Sequence, residues 1–172
     1  ITVTAHCNTT IGLPGTLSCR LQPNHTTDDP DGITASVLEG LSFGAGDAVI
    51  GLNPAGDSDE SCRRILEKFR EIKERHRIPT QTCVLAHVTT QLRAMEKGAP
   101  ADLIFQSIAG SQKGNAAFGF DAALMEQARQ TALHRGSATG PNVLYFETGQ
   151  GSELSSDAHF GADQVTMEAR CY

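Results

Sequence analysis

Five short apolar runs recur along the chain, and each ends in a polar side chain that is followed by a stretch of helical periodicity. Several of these runs are apolar at nearly every position, which is typical of strands buried on both faces of a parallel sheet. We therefore predict five β-strands, each followed by a helix. The predicted strands are Thr16–Gln22, Ala48–Asn53, Cys83–His87, Leu103–Ser107 and Val143–Glu147.

The segments between the runs show the spacing of amphipathic helices. The clearest segment has apolar residues from Cys62 to Ile72 on one face and charged residues on the other faces. Asp57, with Glu60 three residues later, resembles a capping box at the start of this helix. Further helices are predicted around residues 33–41, 91–97, 121–136 and 164–170.

The rhythm of these βα units favours an α/β fold of about five units, a partial TIM (β/α)8 barrel. The five polar strand ends are 33, 34, 20 and 40 residues apart, and a barrel of about 250 residues has about 31 residues per unit. A five-stranded doubly wound sheet fits the spacing about equally well. The polar ends favour the barrel, because there they all face one cavity. We treat residues 1–172 as a single domain, the N-terminal part of a barrel truncated at both ends.

Composition excludes several classes of function. The net charge of −6 and the pI of about 5.4 provide no basic face for a nucleic-acid backbone. No apolar run is long enough to span a membrane. The five cysteines are odd in number, widely spaced and without a C-x-x-C motif, which indicates reduced thiols in a cytoplasmic type of compartment.

The polar strand ends suggest a site for a small molecule that carries a hydroxyl and an amine. Arg20 and Gln22 are two residues apart and so face the same side of a strand. Asn53 adds an amide, and Glu147 is the single carboxylate among these strand ends. Arg20 can polarise a ligand oxygen, Glu147 can accept a hydroxyl proton, and the amides can orient a nitrogen. The alternative is that each side chain is a solvated group at the edge of a loop.

Longer blocks of the sequence resemble one enzyme family. The blocks are GDAVIGLNP, IPTQTCVLAHVTTQ, LIFQSIAGS, LYFETGQGSELS and FGADQVTMEAR, and with NTTIGLPGT and RLQPN they cover almost everything from Asn8 to Tyr172. They are similar to the large, catalytic subunit of ethanolamine ammonia-lyase. The resemblance implies a TIM barrel and an adenosylcobalamin-dependent carbon–nitrogen lyase, which converts ethanolamine to acetaldehyde and ammonia by radical chemistry.

The resemblance also implies roles for individual residues. Arg20 and Gln22 would contact the substrate, Asn53 would hold its amine and Glu147 its hydroxyl, with Arg20 and Glu147 as the catalytic pair. The implied cobalamin contacts are Pro54, Gln106 and Ser155. The implied partners are the small subunit of the same lyase and further copies of the large subunit. The implied location is the cytoplasm, either free or inside a bacterial microcompartment.

The amine of this substrate has a requirement that these residues do not meet. Ethanolamine carries an ammonium group at neutral pH, and a buried ammonium needs an anionic partner. Glu147 is assigned to the hydroxyl, Asp47 precedes its predicted strand, and Asp102 begins one. We therefore expect a second carboxylate from a later strand, beyond Tyr172.

The sequence leaves open the roles of two histidines and two other classes of function. His87 ends a predicted strand and can line the cavity, although a packed, hydrogen-bonded histidine is the commoner state. Asp157–Gly161 resembles part of the D-x-H-x-x-G motif of base-off cobalamin proteins, but Ala162 stands at the glycine position, so we expect a surface or loop role for His159. The chain can instead be a non-catalytic five-stranded binding module, or a truncated fragment that is inactive in isolation.

Overall fold

The chain forms a mixed α/β fold in which the strands pair in parallel. The computed structural model describes residues 19–46, 48–138, 142–148 and 152–171. Within these ranges, the strands are β1 (Arg20–Leu21), β2 (Val49–Leu52), β3 (Gln81–Val84), β4 (Ile104–Ile108) and β5 (Leu144–Thr148). The helices in the same ranges are α1 (Pro30–Ser42), α2 (Asp59–His76), α3 (Val88–Glu96), α4 (Gln112–Ala117), α5 (Ala122–Arg135), α6 (Ser152–Ser155) and α7 (Gln164–Ala169).

All five predicted strands are confirmed, although their bounds shift by a few residues. Strand β3 begins at Gln81 and ends at Val84, so His87 lies beyond it rather than at its end. Strand β1 is described only from Arg20, and residues 16–18 of the predicted strand lie outside the described residues. Asp47, which the sequence places before β2, also lies outside them.

The predicted helices are present, and side-chain caps account for the differences at their ends. The predicted cap at Asp57 is wrong, because the Ser58 hydroxyl accepts the Ser61 N–H (3.0 Å) and starts α2. Helix α3 starts earlier than expected, since His87 caps it. Helix α4 was not predicted, and it starts where the Ser111 hydroxyl accepts the Gly114 N–H (3.0 Å).

The strands follow one another in space in the order in which they occur in the chain. Strands β1, β2 and β3 form one parallel sheet, and β4 and β5 form a second. The two sheets adjoin, because the N–H groups of Asp102 and Leu103 both donate to the Thr82 carbonyl (3.2 Å each). A doubly wound sheet reverses its strand order at a switch point, and the described strands show no such reversal.

The two faces of the sheets have different neighbours. Ile50 and Leu52 of β2 and Ile104 of β4 pack against buried residues of α1, α2, α3 and α5. On the opposite face, a smaller cluster contains Val49 and Phe105 but, among the described residues, no helical residue. Alternate strand residues therefore point either to the helices or to the smaller cluster on the opposite face.

A buried polar network lies at the amino ends of β3 and β4, opposite the predicted site. Asp102 is 2% exposed and forms an ion pair with Lys73. Its carboxylate also accepts the Thr82 N–H (2.8 Å) and the Ser137 hydroxyl (2.8 Å). Asp102 therefore joins helix α2 to the strands at this edge. Among the described residues, no helix combines the length and the apolar character needed to cross a membrane.

Candidate functional site

A cavity of about 780 Å³ lies at the carboxyl ends of the strands. The residues that line it come from β1, β4, β5 and the segments that follow β2, β3 and α7. They are Arg20, Asn53, Leu85, Phe105, Ser107, Ile108, Tyr145, Phe146, Glu147, Thr148 and Cys171. The structure thus brings the predicted residues Arg20, Asn53 and Glu147 to one cavity.

Arg20 and Glu147 meet across this cavity. The Arg20 Nη1 donates to Glu147 Oε1, and the same nitrogen donates to the Tyr145 hydroxyl at 2.7 Å. The Arg20 Nη2 donates to the Gln22 side-chain oxygen. Gln22 therefore holds the guanidinium from the side, and the structure does not place it in the cavity lining. A guanidinium with several donors in one plane is suited to such a multiple contact.

Tyr145 completes this arrangement, and sequence reasoning missed it. Its hydroxyl donates to Glu147 Oε1 at 2.8 Å, and the Arg20 guanidinium lies 5.6 Å from the centre of its ring. Burial, followed by the hydrogen bond to Glu147, raises the pKa of the Tyr145 phenol. The signal was present in the sequence, because Tyr145 precedes Glu147 by two positions and so shares its face of β5.

Leu85, which lines the cavity, packs closely against Gly51 of β2. A Cβ atom at this position would lie 2.5 Å from Cys83 Sγ and 3.0 Å from Leu85 Cδ1. Cys83 is fully buried, and this burial raises the pKa of its thiol to about 12. The thiol is therefore protonated at neutral pH and contributes an apolar surface. Cys62 is likewise buried in the core.

Asn53 and Pro54 follow β2 at the rim of the cavity, where two side chains fix the backbone. The Asn24 side-chain oxygen accepts the Asn53 N–H (2.9 Å). Asp28 accepts the Ala55 N–H (2.8 Å) and further hydrogen bonds from this loop. The Asn53 side chain is exposed and lines the cavity, so its amide is available to a ligand.

Asp28 is held in its charged form. Partial burial raises the pKa of its carboxyl, but hydrogen bonds from the Ala55 N–H, the Ser61 hydroxyl and the Gly56 N–H outweigh burial and lower it below the ordinary 3.8. Asp28 has a positive φ of 54°, a conformation that aspartate and asparagine adopt more readily than most residues. The rim between β1 and α2 is thus stabilised by one carboxylate.

Gln106 and Ser155 lie outside the cavity lining. Gln106 is 4% exposed, its oxygen accepts the Val88 N–H (3.0 Å) at the start of α3, and its nitrogen donates to the Ser107 carbonyl (2.9 Å). The Gln106 side chain therefore points to the helix layer, and Ser107, its neighbour, lines the cavity. Ser155 is exposed at the end of α6. The cobalamin contacts assigned to Gln106 and Ser155 stay predictions.

The two histidines discussed in the sequence analysis, His87 and His159, both form hydrogen bonds with residues of loops or helix ends. His87 Nδ1 accepts the Thr89 N–H (3.3 Å) and His87 Nε2 donates to the Phe118 carbonyl (2.7 Å), so the packed state is confirmed. His159 lies in the loop before α7, where its Nδ1 accepts the Gly161 N–H (3.2 Å). Within the described part of the chain, no group of three potential metal ligands is found.

Comparison with known proteins identifies relatives along the whole chain. Residues 1–172 match the family "Ethanolamine ammonia lyase large subunit (EutB)". The chain is 59% identical over 165 residues to the ethanolamine ammonia-lyase large subunit of Salmonella typhimurium and 58% identical over 165 residues to that of Escherichia coli K12. Each match covers 96% of this chain and 36% of the relative. The chain thus spans about a third of the length of these curated relatives.

Proposed function

Because the chain belongs to the ethanolamine ammonia-lyase large-subunit family, we propose that it supplies most of the substrate site of such an enzyme. The reaction is the adenosylcobalamin-dependent conversion of ethanolamine to acetaldehyde and ammonia. The observation that carries the proposal is the contact between Arg20 and Glu147, which places a fixed cation and a carboxylate side by side in one cavity. The cavity is much larger than a two-carbon amino alcohol, so it leaves room for a cofactor group.

The Arg20–Glu147 pair is suited to bind the hydroxyl of the substrate. Glu147 Oε1 is engaged by Arg20 and Tyr145, whereas Oε2 accepts no hydrogen bond from the described residues. Oε2 can therefore accept the proton of the hydroxyl, while a remaining N–H of Arg20 donates to the hydroxyl oxygen. The amide of Asn53 offers its oxygen to the ammonium group. These contacts would hold the substrate by both of its ends.

The described residues are compatible with the cofactor. His87 and His159 are engaged in loop hydrogen bonds and lie outside the cavity lining, which fits a cobalamin that keeps its own base. Pro54 at the rim, together with Gln106 and Ser155, would contact the cobalamin. The cofactor, when bound, supplies the radical that removes hydrogen from the substrate. The protein holds and orients the substrate and excludes water from the reaction.

We place the chain in the N-terminal part of a TIM barrel, as a single domain that continues in a longer catalytic subunit. Support comes from the strand order, from helices packed on one face, and from a separate apolar cluster on the other face beside the cavity. The contact between Arg20 of β1 and Glu147 of β5 adds to it, because these strands would lie opposite each other in an eightfold barrel. A later strand would supply the second carboxylate for the ammonium.

The partners of the whole enzyme follow from this assignment. We propose that a small subunit of the same lyase completes the cofactor site and that several large subunits assemble with one another. We place the enzyme in the cytoplasm, including a bacterial microcompartment. We expect the isolated segment to be inactive, because part of the substrate site and of the cofactor site would be missing from it.

The test uses the full-length large subunit that contains this segment, purified with its small subunit and supplied with adenosylcobalamin and ethanolamine. We expect acetaldehyde to be formed and Glu147→Gln to reduce turnover by at least about a thousandfold, since the amide cannot take the hydroxyl proton. Glu126→Gln, on the exposed surface of α5, is the matched control and keeps normal rates. Normal turnover by Glu147→Gln would contradict the role assigned to this carboxylate.

A further inference from the structure

We propose that Tyr145 is a positioning residue, which fixes Glu147 and Arg20 for recognition of the substrate hydroxyl. The inference rests on the proposed function and extends it to a residue that does not itself need to touch the substrate. Its basis is a single buried hydroxyl that contacts both members of the pair. The phenol lies 2.8 Å from Glu147 Oε1 and 2.7 Å from Arg20 Nη1, and Tyr145 is only 9% exposed.

The direction of both hydrogen bonds is determined by the chemistry of the groups. A guanidinium has donors and no acceptor, so the Tyr145 oxygen accepts from Arg20. The single phenolic proton is then available to the carboxylate, which has only acceptors when ionised. The only proton of the hydroxyl is thereby engaged inside the protein. Tyr145 has no hydrogen left to donate to a substrate, which assigns it to positioning rather than to direct binding.

Tyr145 also determines which carboxylate oxygen is available. Oε1 of Glu147 receives hydrogen bonds from two donors on fixed groups, and this leaves Oε2, which accepts none from the described residues, available to a ligand. The Glu147 side chain is 34% exposed, so without the phenol it would have more rotational freedom. A carboxylate that must be ordered when the ligand binds reduces the affinity for that ligand.

The ring of Tyr145 is itself held in place by packing. It lies against Phe105 with 5.5 Å between ring centres and an angle of 59° between the planes. Both rings belong to the buried cluster on the face of the strands opposite the helices, together with Cys83 and Leu103. A buried aromatic ring has few accessible rotamers, so its hydroxyl can serve as a rigid support for the Arg20–Glu147 pair.

The experiment compares two ligands that differ in one group. Ethanolamine carries the hydroxyl, and ethylamine lacks it but keeps the ammonium. Dissociation constants are measured by calorimetry on the full-length large subunit with its small subunit, without turnover. In Tyr145→Phe, which keeps the ring, we expect affinity for ethanolamine to fall about tenfold, while the affinity for ethylamine stays within about twofold. A role in folding alone would weaken both ligands by the same factor.

Two further variants separate the hydroxyl from the ring. Tyr145→Met removes the same hydroxyl while filling the space with a flexible apolar side chain, and it should show the same selective loss. Phe105→Leu loosens the packing that holds the ring but leaves the hydroxyl, so it should cause a smaller loss of affinity that is again confined to ethanolamine. The proposal is overturned if Tyr145→Phe weakens both ligands equally or neither, or if Phe105→Leu causes a larger selective loss than Tyr145→Phe. If the unmodified protein does not prefer ethanolamine, the proposed function itself fails.

Discussion

Arg20 and Glu147 form an ion pair although 127 residues separate them and their strands are not neighbours in the sheets. Strand β1 pairs with β2, and β5 pairs with β4, so only a curved arrangement lets their side chains meet. The pair also lies beside Tyr145 and Gln22, which contact the guanidinium from two sides. The position of the Arg20 guanidinium therefore depends on a residue of its own segment, Gln22, and on two residues of β5, Tyr145 and Glu147.

Arg20→Lys tests whether the site needs the planar guanidinium or only its charge. A lysine ammonium at the end of a flexible chain cannot reach Glu147, Tyr145 and Gln22 with the same geometry. We expect kcat/KM for ethanolamine to fall by about a hundredfold or more, as measured by acetaldehyde formation in the full-length enzyme. Arg129→Lys, on the surface of α5, should keep the original value. Equal activity of the Arg20 and Arg129 variants would show that the guanidinium geometry is unimportant.

Gly51→Ala tests the close packing beneath the cavity. Its new Cβ would lie 2.5 Å from Cys83 Sγ, so we expect a loss of about 1–3 kcal/mol in the free energy of unfolding, measured by urea denaturation of the full-length subunit. Gly56→Ala is the matched control, because the nearest atom to its Cβ, Ser61 Oγ, lies 3.9 Å away.

The second part of this test adds Cys83→Ala to the Gly51 variant. Removal of the sulfur takes away the closest contact, so the double variant should lose less stability than the sum of the two single variants. Strictly additive effects would mean that Gly51 is required for a reason other than the contact with Cys83.

Asp28→Asn tests the carboxylate at the rim through its dependence on pH. The pKa of Asp28 is lower in the folded protein than the ordinary 3.8, so its stabilising contribution is fully present above that value. It is lost as the pH falls through the lower folded value, because the carboxylate must then be protonated. Asparagine tolerates the positive φ at this position and carries no charge.

We therefore expect Asp28→Asn to lower the unfolding free energy by about 1–2 kcal/mol near neutral pH, with a difference from the original protein that shrinks below about pH 4. Urea denaturation at a series of pH values measures this difference. Asp31→Asn, at an exposed position in α1, should show little difference at any pH. A deficit in Asp28→Asn that is independent of pH would contradict a role for the charge.

The positions of the strands were predictable from sequence because their hydrophobic pattern is strong. Polar residues that interrupt such a pattern, such as Arg20 and Glu147, mark the places where the chain leaves the apolar layer. Asn53 was found in the same way. These signals are local, so they survive in the linear sequence, and they were sufficient to indicate one shared cavity.

The features that sequence reasoning missed depend on which way a side chain faces. The orientation of Gln106 is one such feature, because its side chain lies in the helix layer and its neighbour Ser107 lines the cavity, while the cofactor contact assigned to Gln106 stays a prediction. Tyr145 was taken as one residue of an apolar run, because its partner Arg20 is distant in sequence. The helix cap at Ser58 was misplaced by one residue, since Asp57 and Ser58 are both good caps.

The most direct test is an experimental structure of the full-length enzyme with ethanolamine bound. We expect the hydroxyl oxygen of the ligand to lie within about 3 Å of both the Arg20 guanidinium and the Glu147 carboxylate, with Tyr145 still bridging the two. A ligand bound away from this pair, or with its ammonium rather than its hydroxyl against Glu147, would contradict the proposed site.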